Sequence, residues 1–148
     1  MSPAELEKYL YHHIPLSKAM EVSVVAIEAE TVILRAPLKP NINHQATVFG
    51  GSASAVAILA AWSLLHTRLH SAGIATRLVI QRNTTNYERP IHGEFTARAS
   101  LAQGQEWHKF TKMLARKGKA RIATAAVLEH AGQFVGSLHG EFVAMGQE

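Results

Sequence analysis

The sequence predicts an α+β fold in which an antiparallel sheet wraps around one long central helix. The helix is indicated by the segment Ala53 to Leu65, which is rich in alanine and leucine and contains no helix breaker. The sheet is indicated by short segments of alternating apolar and polar residues, separated by turns that contain glycine. A helix that is apolar on almost every side must be buried, so we expect the sheet to cover it.

Composition limits the classes of protein to consider. The chain has 148 residues, of which 47% are hydrophobic and 18% charged, as expected for one globular domain over residues 1–148. It contains no cysteine and no aspartate, which excludes disulfides, a thiolate nucleophile and calcium loops built on aspartate. The formal charge of +4 favours anionic partners without fixing the fold.

The location expected from the sequence is the cytoplasm. The first residues are polar and acidic, and lack the basic start and apolar core of a signal peptide. The apolar run of the long helix stops at His66, which is short of the roughly 20 residues that a membrane span needs. We therefore expect a protein that does not insert into the membrane.

The elements before the long helix are predicted from spacing. Pro3 to His13 carries apolar residues at helical intervals, with Ser2 as the cap and Pro15 as the stop. Met20 to Glu28 and Thr31 to Leu38 alternate, which predicts a hairpin that turns at Ala29-Glu30.

The elements after the long helix are predicted to be strands. Ser71-Ala72-Gly73 ends the helix. Strands are then expected at Arg77 to Tyr87, Glu94 to Leu101, Trp107 to Arg116, Arg121 to His130 and Phe134 to Met145. Lys117-Gly118-Lys119 is interpreted as the turn of a hairpin.

The loop before the long helix is the first candidate site. It begins at Asn43 and ends in Gly50-Gly51, where the helix starts. Backbone N–H groups at a helix N-terminus are unpaired and lie at the positive end of the helix dipole, so Gly50 and Gly51 suit a developing oxyanion. Asn43 can orient water or a carbonyl, and His44 can accept a proton near neutral pH. A plain turn with a surface histidine is the alternative for this loop.

The pattern of these residues resembles that of acyl-CoA thioesterases with the hotdog fold. Many members have a loop Asn, six residues and then Gly-Gly opening the long helix, as Asn43 and Gly50-Gly51 do here. The stretch Tyr87 to Gly93 is similar to the family's strand-to-turn pattern. Phe49-Gly50-Gly51-Ser52 most resembles a thioesterase domain that follows an acetyltransferase domain in some bacterial proteins, and here we expect that domain to stand alone.

One departure from the family leaves the general base open. Many hotdog thioesterases carry a carboxylate on the long helix, at the position that Ile58 occupies here, but this chain has no carboxylate from Gly50 to Gly73. The dehydratase pattern, a His followed by Phe-Pro, is also absent. His44 and Glu88 are the two candidates for the base.

The polar half-strand from Arg82 to Glu88 is the second candidate site, because Asn is disfavoured in strands. Alternation places Asn83, Thr85 and Tyr87 on one face and Arg82, Thr84 and Asn86 on the other. One set is expected either to line a pocket or to pack at a dimer seam. The full set of expected substrate-binding residues is Phe49, Ser52, Asn83, Thr85, Asn86, Tyr87 and Arg89.

Two further groups have a mainly structural interpretation. The basic residues between Lys109 and Arg121 either meet coenzyme A phosphates or an acidic carrier protein, or form a solvated hairpin. His66 and His70 lie one helical turn apart but have no third ligand, so we expect no metal site.

The resemblance implies hydrolysis of acyl thioesters of coenzyme A or acyl carrier protein by a homodimer or dimer of dimers. That activity would belong to fatty acid metabolism. We expect no cofactor beyond coenzyme A in the substrate, and no nucleic-acid or membrane partner. The alternative is a non-catalytic hotdog protein that binds acyl-CoA or acyl carrier protein, which the missing helix carboxylate favours.

Overall fold

The computed structural model describes residues 1–146, which form four helices, six strands and a short 3₁₀ turn at Lys39–Asn41. The helices are α1 (Pro3–His13), α2 (Pro15–Ala19), α3 (Gly50–Ser71) and α4 (Trp107–Lys117). The strands are β1 (Ser23–Ile27), β2 (Val32–Ala36), β3 (Thr76–Tyr87), β4 (Phe95–Leu101), β5 (Lys119–His130) and β6 (Gln133–Gly146).

The strands form one antiparallel sheet in the order β1-β2-β4-β5-β6-β3. The β1–β2 hairpin turns between Glu28 and Thr31, as the sequence predicts, and the Glu28 amide donates to the Thr31 carbonyl. β3 follows α3 in the chain but pairs only with β6 among the described strands, so it lies at one edge of the sheet. A one-residue irregularity between Ile80 and Arg82 reverses which side chains of β3 face the helix.

The core lies between α3 and the concave face of the sheet. Val56, Ala60 and Leu64 on the helix are fully buried, and so are large side chains such as Phe95 and Phe142 on the strands. Small residues on α3 bring the helix close to the strands, which lets a sheet curve around it. The architecture is the α+β hotdog arrangement, and the predicted fold class is confirmed.

α1 and α2 pack beside the first hairpin. Ser2 caps α1 by accepting a hydrogen bond from the Glu5 amide, as predicted. Pro15 ends α1 and also begins α2, because proline is favoured in the first turn of a helix. Tyr11 donates a 2.6 Å hydrogen bond to the Val22 carbonyl, and this bond anchors α1 to the chain that enters β1.

The strand predicted for Trp107 to Arg116 is wrong, since these residues form helix α4. Phe110 and Leu114 are four residues apart and buried, while Lys112 and Met113 between them are exposed, so the pattern of burial has the period of a helix. The half-buried ring of Trp107 lies 4.4 Å from the Arg68 guanidinium, which fixes α4 against the C-terminal half of α3. The predicted basic hairpin is therefore a helix followed by a strand.

α3 is not covered on every side, contrary to the prediction from its composition. Ala55, Ile58 and Trp62 are only half-buried, Gly51 is exposed, and these residues follow one another at helical spacing. This uncovered stripe lies on the same side as the free edge of β3, because the Trp62 indole donates to the Leu78 carbonyl. Stripe and edge lie next to each other on one side of the molecule.

Helix α3 has 22 residues, about the length of a helix that crosses a membrane. Among residues 1–146, the structure contains no helix that is both long and apolar enough to cross a bilayer.

Candidate active site

The loop that precedes α3 is organised by the side chain of Asn43. Its amide nitrogen donates to the Thr47 hydroxyl at 2.9 Å, and its oxygen accepts from the amides of Gln45 at 2.9 Å and Thr47 at 3.1 Å. These bonds hold Ala46 in the left-handed region, at φ 62°, a conformation that non-glycine residues rarely adopt. The Asn43 amide is therefore engaged within the loop, and its direct neighbour is Thr47.

The start of α3 presents two free amides. The cap residue is Phe49, which has an extended conformation and offers no side-chain oxygen to the helix. Its carbonyl accepts from Ser52 and Ala53, whereas the N–H groups of Gly50 and Gly51 have no hydrogen-bond partner among residues 1–146. Two adjacent donors at the positive end of a 22-residue helix make a site suited to a negatively charged oxygen.

Neither glycine has a positive φ, so an unusual backbone conformation does not require them, and only Gly51 is needed for space. A Cβ at Gly51 would come within 2.3 Å of the Phe49 ring, so a larger residue would displace that ring. A Cβ at Gly50 would lie 3.5 Å from the Tyr87 ring, which is ordinary contact. Phe49 is 57% exposed, and its ring lies over the exposed backbone of Gly51.

The polar half-strand of β3 faces this helix start. Thr85 lies 3.1 Å from the Ser54 hydroxyl, and Tyr87 donates a 2.8 Å hydrogen bond to the Gly50 carbonyl. Asn83 accepts from Thr85 at 3.4 Å, so the three residues share one face, as alternation predicts. On the opposite face, Arg82 pairs with Glu141 on β6 at 4.0 Å.

A cavity of about 350 Å³ lies beside the helix start, between the loop and the end of β3. Its lining residues come from the loop, from α3 and from the segment after β3, and they are Thr47, Val48, Ala53, Tyr87, Glu88, Arg89, Pro90 and Ile91. Glu88 is the carboxylate among them. The cavity thus brings together Glu88, Arg89 and Tyr87, while Asn43 and Gly50 contact its walls through Thr47 and Tyr87.

A second cavity of about 410 Å³ adjoins the first and shares Glu88 and Arg89 with it. Its other lining residues are Gln133 and Phe134 on β6. The Arg89 guanidinium donates to the Gln133 side chain at 3.1 Å, and this bond ties Arg89 to β6 beside the second cavity.

The remaining predicted site residues lie further from the cavity. His44 is exposed on the loop, and Asn86 is exposed on the strand face opposite Tyr87. Ser52 is half-buried in the first turn of α3. None of these three lines the cavity.

Two hydroxyl side chains at the site, those of Thr47 and Ser54, were not predicted from the sequence. Thr47 lines the cavity and bonds Asn43, and Ser54 joins α3 to Thr85 on β3. Ser54 lies one helical turn after Gly50 and Gly51, so helical spacing from the glycines would have indicated it.

The histidines at the far end of α3 form an aromatic stack. The His66 ring lies 4.6 Å from those of Tyr9 and Trp62, and 6.3 Å from His70. Burial lowers the pKa of His66, and the nearby His70 and His13 lower it further. Its Nε2 atom is buried and has no hydrogen-bond partner in the described part of the chain. These contacts attach α1 to α3 at the opposite end of the helix from the cavity.

Comparison with known proteins supports the fold and identifies the family. A protein of unknown function from Chlorobaculum tepidum TLS has the same fold, with a TM-score of 0.92 and 26% identity over 99% of this chain and 98% of the other. A structure described as a "putative thioesterase" from Shewanella oneidensis has a TM-score of 0.86 and 20% identity, covering 97% of this chain and 96% of the other. A probable thioesterase of unknown function from Pseudomonas aeruginosa has a TM-score of 0.82 and 22% identity, covering 98% and 97%.

A family model matches nearly the whole chain. It spans residues 3–146, which run from the first residue of α1 to the last residue of β6. The chain therefore belongs to the family described as "Putative thioesterase (yiiD_Cterm)".

Proposed function

We propose that this protein hydrolyses acyl thioesters of coenzyme A or of acyl carrier protein at the cavity beside the start of α3. The observation that carries the proposal is the pair of N–H groups at Gly50 and Gly51, which have no hydrogen-bond partner among residues 1–146, next to a cavity that Glu88 helps to line. Membership of a thioesterase family supports the type of reaction. The carrier, the acyl chain and the residue roles are part of the proposal.

The reaction needs an oxyanion site and a proton acceptor. A water molecule attacks the carbonyl carbon of the thioester, and its proton passes to the base as the carbon–oxygen bond forms. The carbonyl oxygen then carries a negative charge, which the amides of Gly50 and Gly51 stabilise. The carbon–sulfur bond breaks, the sulfur leaves and is protonated, and the products are a carboxylic acid and a free thiol.

Glu88 is the residue we assign as general base. Glu88 is one of the residues that line the cavity, whereas His44 is not, although both residues are exposed. Glu88 thus replaces the helix carboxylate of other hotdog thioesterases, whose position is taken here by the half-buried Ile58. Arg89, which lines both cavities, is suited to an anionic group of the carrier.

Asn43 acts in this proposal as a positioning residue. Its amide fixes Thr47, which lines the cavity, and the same bonds hold the loop close to the helix start. Tyr87 has a comparable role from the other side, since it holds the Gly50 carbonyl.

The sharpest test removes one oxyanion donor without disturbing the helix. Gly50→Pro deletes the amide hydrogen at the first helical position, where proline is favoured, and Phe49 already has the extended conformation that a following proline requires. Loss of one such donor should lower kcat by about 10²–10³-fold. Gly50→Ala keeps the N–H and is the matched control, because its Cβ has room beside Tyr87.

The assay measures thiol release from acyl-CoA substrates of increasing chain length and from acyl carrier protein. Activity in the wild type and in Gly50→Ala, together with its loss in Gly50→Pro, supports the assignment. Equal rates in the two variants would remove the helix start from the mechanism. Binding of the substrates without any thiol release would instead establish the non-catalytic alternative.

A further inference from the structure

A strongly basic surface lies at the end of the molecule opposite the cavity. Six cations occur between residues 107 and 121 with no carboxylate among them, and they are Lys109, Lys112, Arg116, Lys117, Lys119 and Arg121. Arg77 joins them, because Lys119 and Arg77 both pair with Met145 from the two sides of β6. We call these seven residues the α4–β5 surface.

The charge of this surface is not balanced locally. Glu106 is the carboxylate closest to it in sequence, and it lies 3.7 Å from Lys109. The surface and Glu106 have a net charge of +6, from seven cations and one carboxylate, whereas the whole chain carries +4. The other eight cations and ten glutamates therefore give the rest of the chain a net negative charge. All the excess positive charge is concentrated at one end.

The surface also contains a groove of about 680 Å³ between α4 and the start of β5. Phe110, Met113 and Ala120 supply its apolar atoms, and Met113 is 43% exposed. Four of the cations flank it, namely Lys109, Lys117, Lys119 and Arg121. An exposed methionine between lysines suits a partner that presents an apolar side chain surrounded by carboxylates.

The dimensions of the surface favour a protein as the occupant. The 11-residue helix α4 is about 16 Å long, and the distance from Lys119 on β5 across β6 to Arg77 on β3 is about 10 Å. Seven cations spread over that area exceed what one phosphate or carboxylate can contact. A compact acidic protein can face all of them at once.

Nucleic acid fits the surface less well. An apolar groove with an exposed methionine contributes nothing to a phosphate backbone, which needs positive charge along its track. Phe110 in the groove is buried, and the nearby Trp107 is stacked against Arg68, so neither ring is free to stack on a base. A long polyanion would also meet the net negative charge on the rest of the chain.

The position of the surface relates it to the proposed reaction. In one chain, β5 runs from Lys119 at this surface to Leu128 beside the Tyr87 end of β3, a distance of about 30 Å. In the dimer that we expect, two β3 strands would pair antiparallel across their free edges. That pairing brings the Thr76 end of one strand beside the Tyr87 end of the other, so each surface would lie near the cavity of the second chain.

We propose that the α4–β5 surface docks an acidic protein, and that this protein is the carrier of the thioester. The identity of the docked protein as the thioester carrier rests on the proposed function. The docking of an acidic protein at this surface does not. The surface selects the protein-bound substrate, and the cavity of the second chain cleaves it.

The test measures binding of a fluorescently labelled apo acyl carrier protein, which is acidic and holds no thioester. Because there is no reaction, the result does not depend on whether the protein is a hydrolase. The triple variant Lys117→Glu, Lys119→Glu and Arg121→Glu should weaken binding by about tenfold or more. The control, Lys8→Glu, Lys18→Glu and Lys39→Glu, changes the net charge equally at exposed sites elsewhere and should leave the affinity within about twofold.

A second variant tests the groove itself. Met113→Gln should weaken binding severalfold while leaving the salt dependence of the affinity unchanged, because it removes apolar contact and no charge. Three results would overturn the proposal. They are equal weakening in the two triple variants, no binding by the wild type at low salt, and tighter binding of a DNA duplex than of the carrier.

Discussion

The hydroxyl of Tyr87 donates a 2.8 Å hydrogen bond to the carbonyl of Gly50, and this bond ties the end of the edge strand to the first residue of the central helix. Tyr87 is 55% exposed, so the bond contributes about 1 kcal/mol at most to the free energy of unfolding. Because the bond lies next to the Gly50 amide, it matters more for the position of that amide than for the stability of the fold.

Tyr87→Phe should therefore lower kcat for a thioester severalfold and change the melting temperature little. Tyr11→Phe is the matched control, because it deletes a bond of the same type to the Val22 carbonyl, away from the cavity. Measuring kcat and the melting temperature of both variants separates the two effects. A Tyr87→Phe variant that loses stability but keeps its full rate would show that the bond is only structural.

Glu88→Gln tests the general base. The substitution keeps the size of the side chain in the cavity wall and removes its ability to accept a proton, so kcat should fall by about 10²–10⁴-fold. Glu28→Gln, in the exposed turn of the first hairpin, is the control and should retain the rate. His44→Ala should change kcat little. If His44→Ala instead lost most of its activity while Glu88→Gln kept the wild-type kcat, His44 would be the general base.

Asn43→Ala should lower kcat through the loop. The substitution removes the bonds to Thr47 and Gln45 that hold Ala46 in its left-handed conformation. Thr47→Val should reproduce part of the loss, since it removes the hydroxyl to which Asn43 donates at the cavity. If Thr47→Val is fully active and Asn43→Ala is not, Asn43 contacts the substrate directly. Steady-state rates of the two variants decide between these roles.

The stability of the protein should decrease as the pH falls below about 6.5, the ordinary pKa of histidine. Burial and the neighbouring His70 and His13 lower the pKa of His66 in the folded state, so the unfolded chain takes up this proton first. The contribution is complete above pH 6.5 and is lost as the pH falls towards the lowered pKa. Urea midpoints measured from pH 8 to pH 5.5 give the slope.

His66→Phe should reduce that slope, because phenylalanine keeps the stack with Tyr9 and Trp62 and has no proton to bind. His92→Gln, at an exposed position near the cavity end, is the control and should keep the wild-type slope. An unchanged slope in His66→Phe would assign the pH dependence to other groups.

The free edge of β3 and the uncovered stripe of α3 predict self-association. Val79 on β3 is 48% exposed, and Ala55, Ile58 and Trp62 on α3 are only half-buried. Light scattering should give a multiple of the 16.1 kDa chain mass. Ala55→Arg places a long cation in the stripe and should shift the mass towards one chain, whereas Ala115→Arg on the exposed side of α4 should not. A monomeric wild type at micromolar concentration would exclude a site shared between two chains.

The sequence by itself determined the elements whose patterns are local. Alternation specified the β1–β2 hairpin and the faces of β3, and the alanine-rich run specified α3 from its glycine start to its stop at Gly73. Family spacing then placed Asn43 and Gly50-Gly51 at the junction that the structure confirms as the loop and the start of α3. In each case the side chains that define the element are neighbours along the chain.

Only the tertiary structure decided which distant residues share the cavity and which residues form α4. In a short charged segment, the sequence pattern of a strand is hard to distinguish from that of a helix. Phe110 and Leu114 are seen to form one buried helical face only once they are packed in the core. Likewise, Glu88 reaches the helix start because β3 runs along the edge of the sheet and brings Tyr87 to Gly50. Such contacts depend on strand order, which the packing of the whole sheet around α3 fixes.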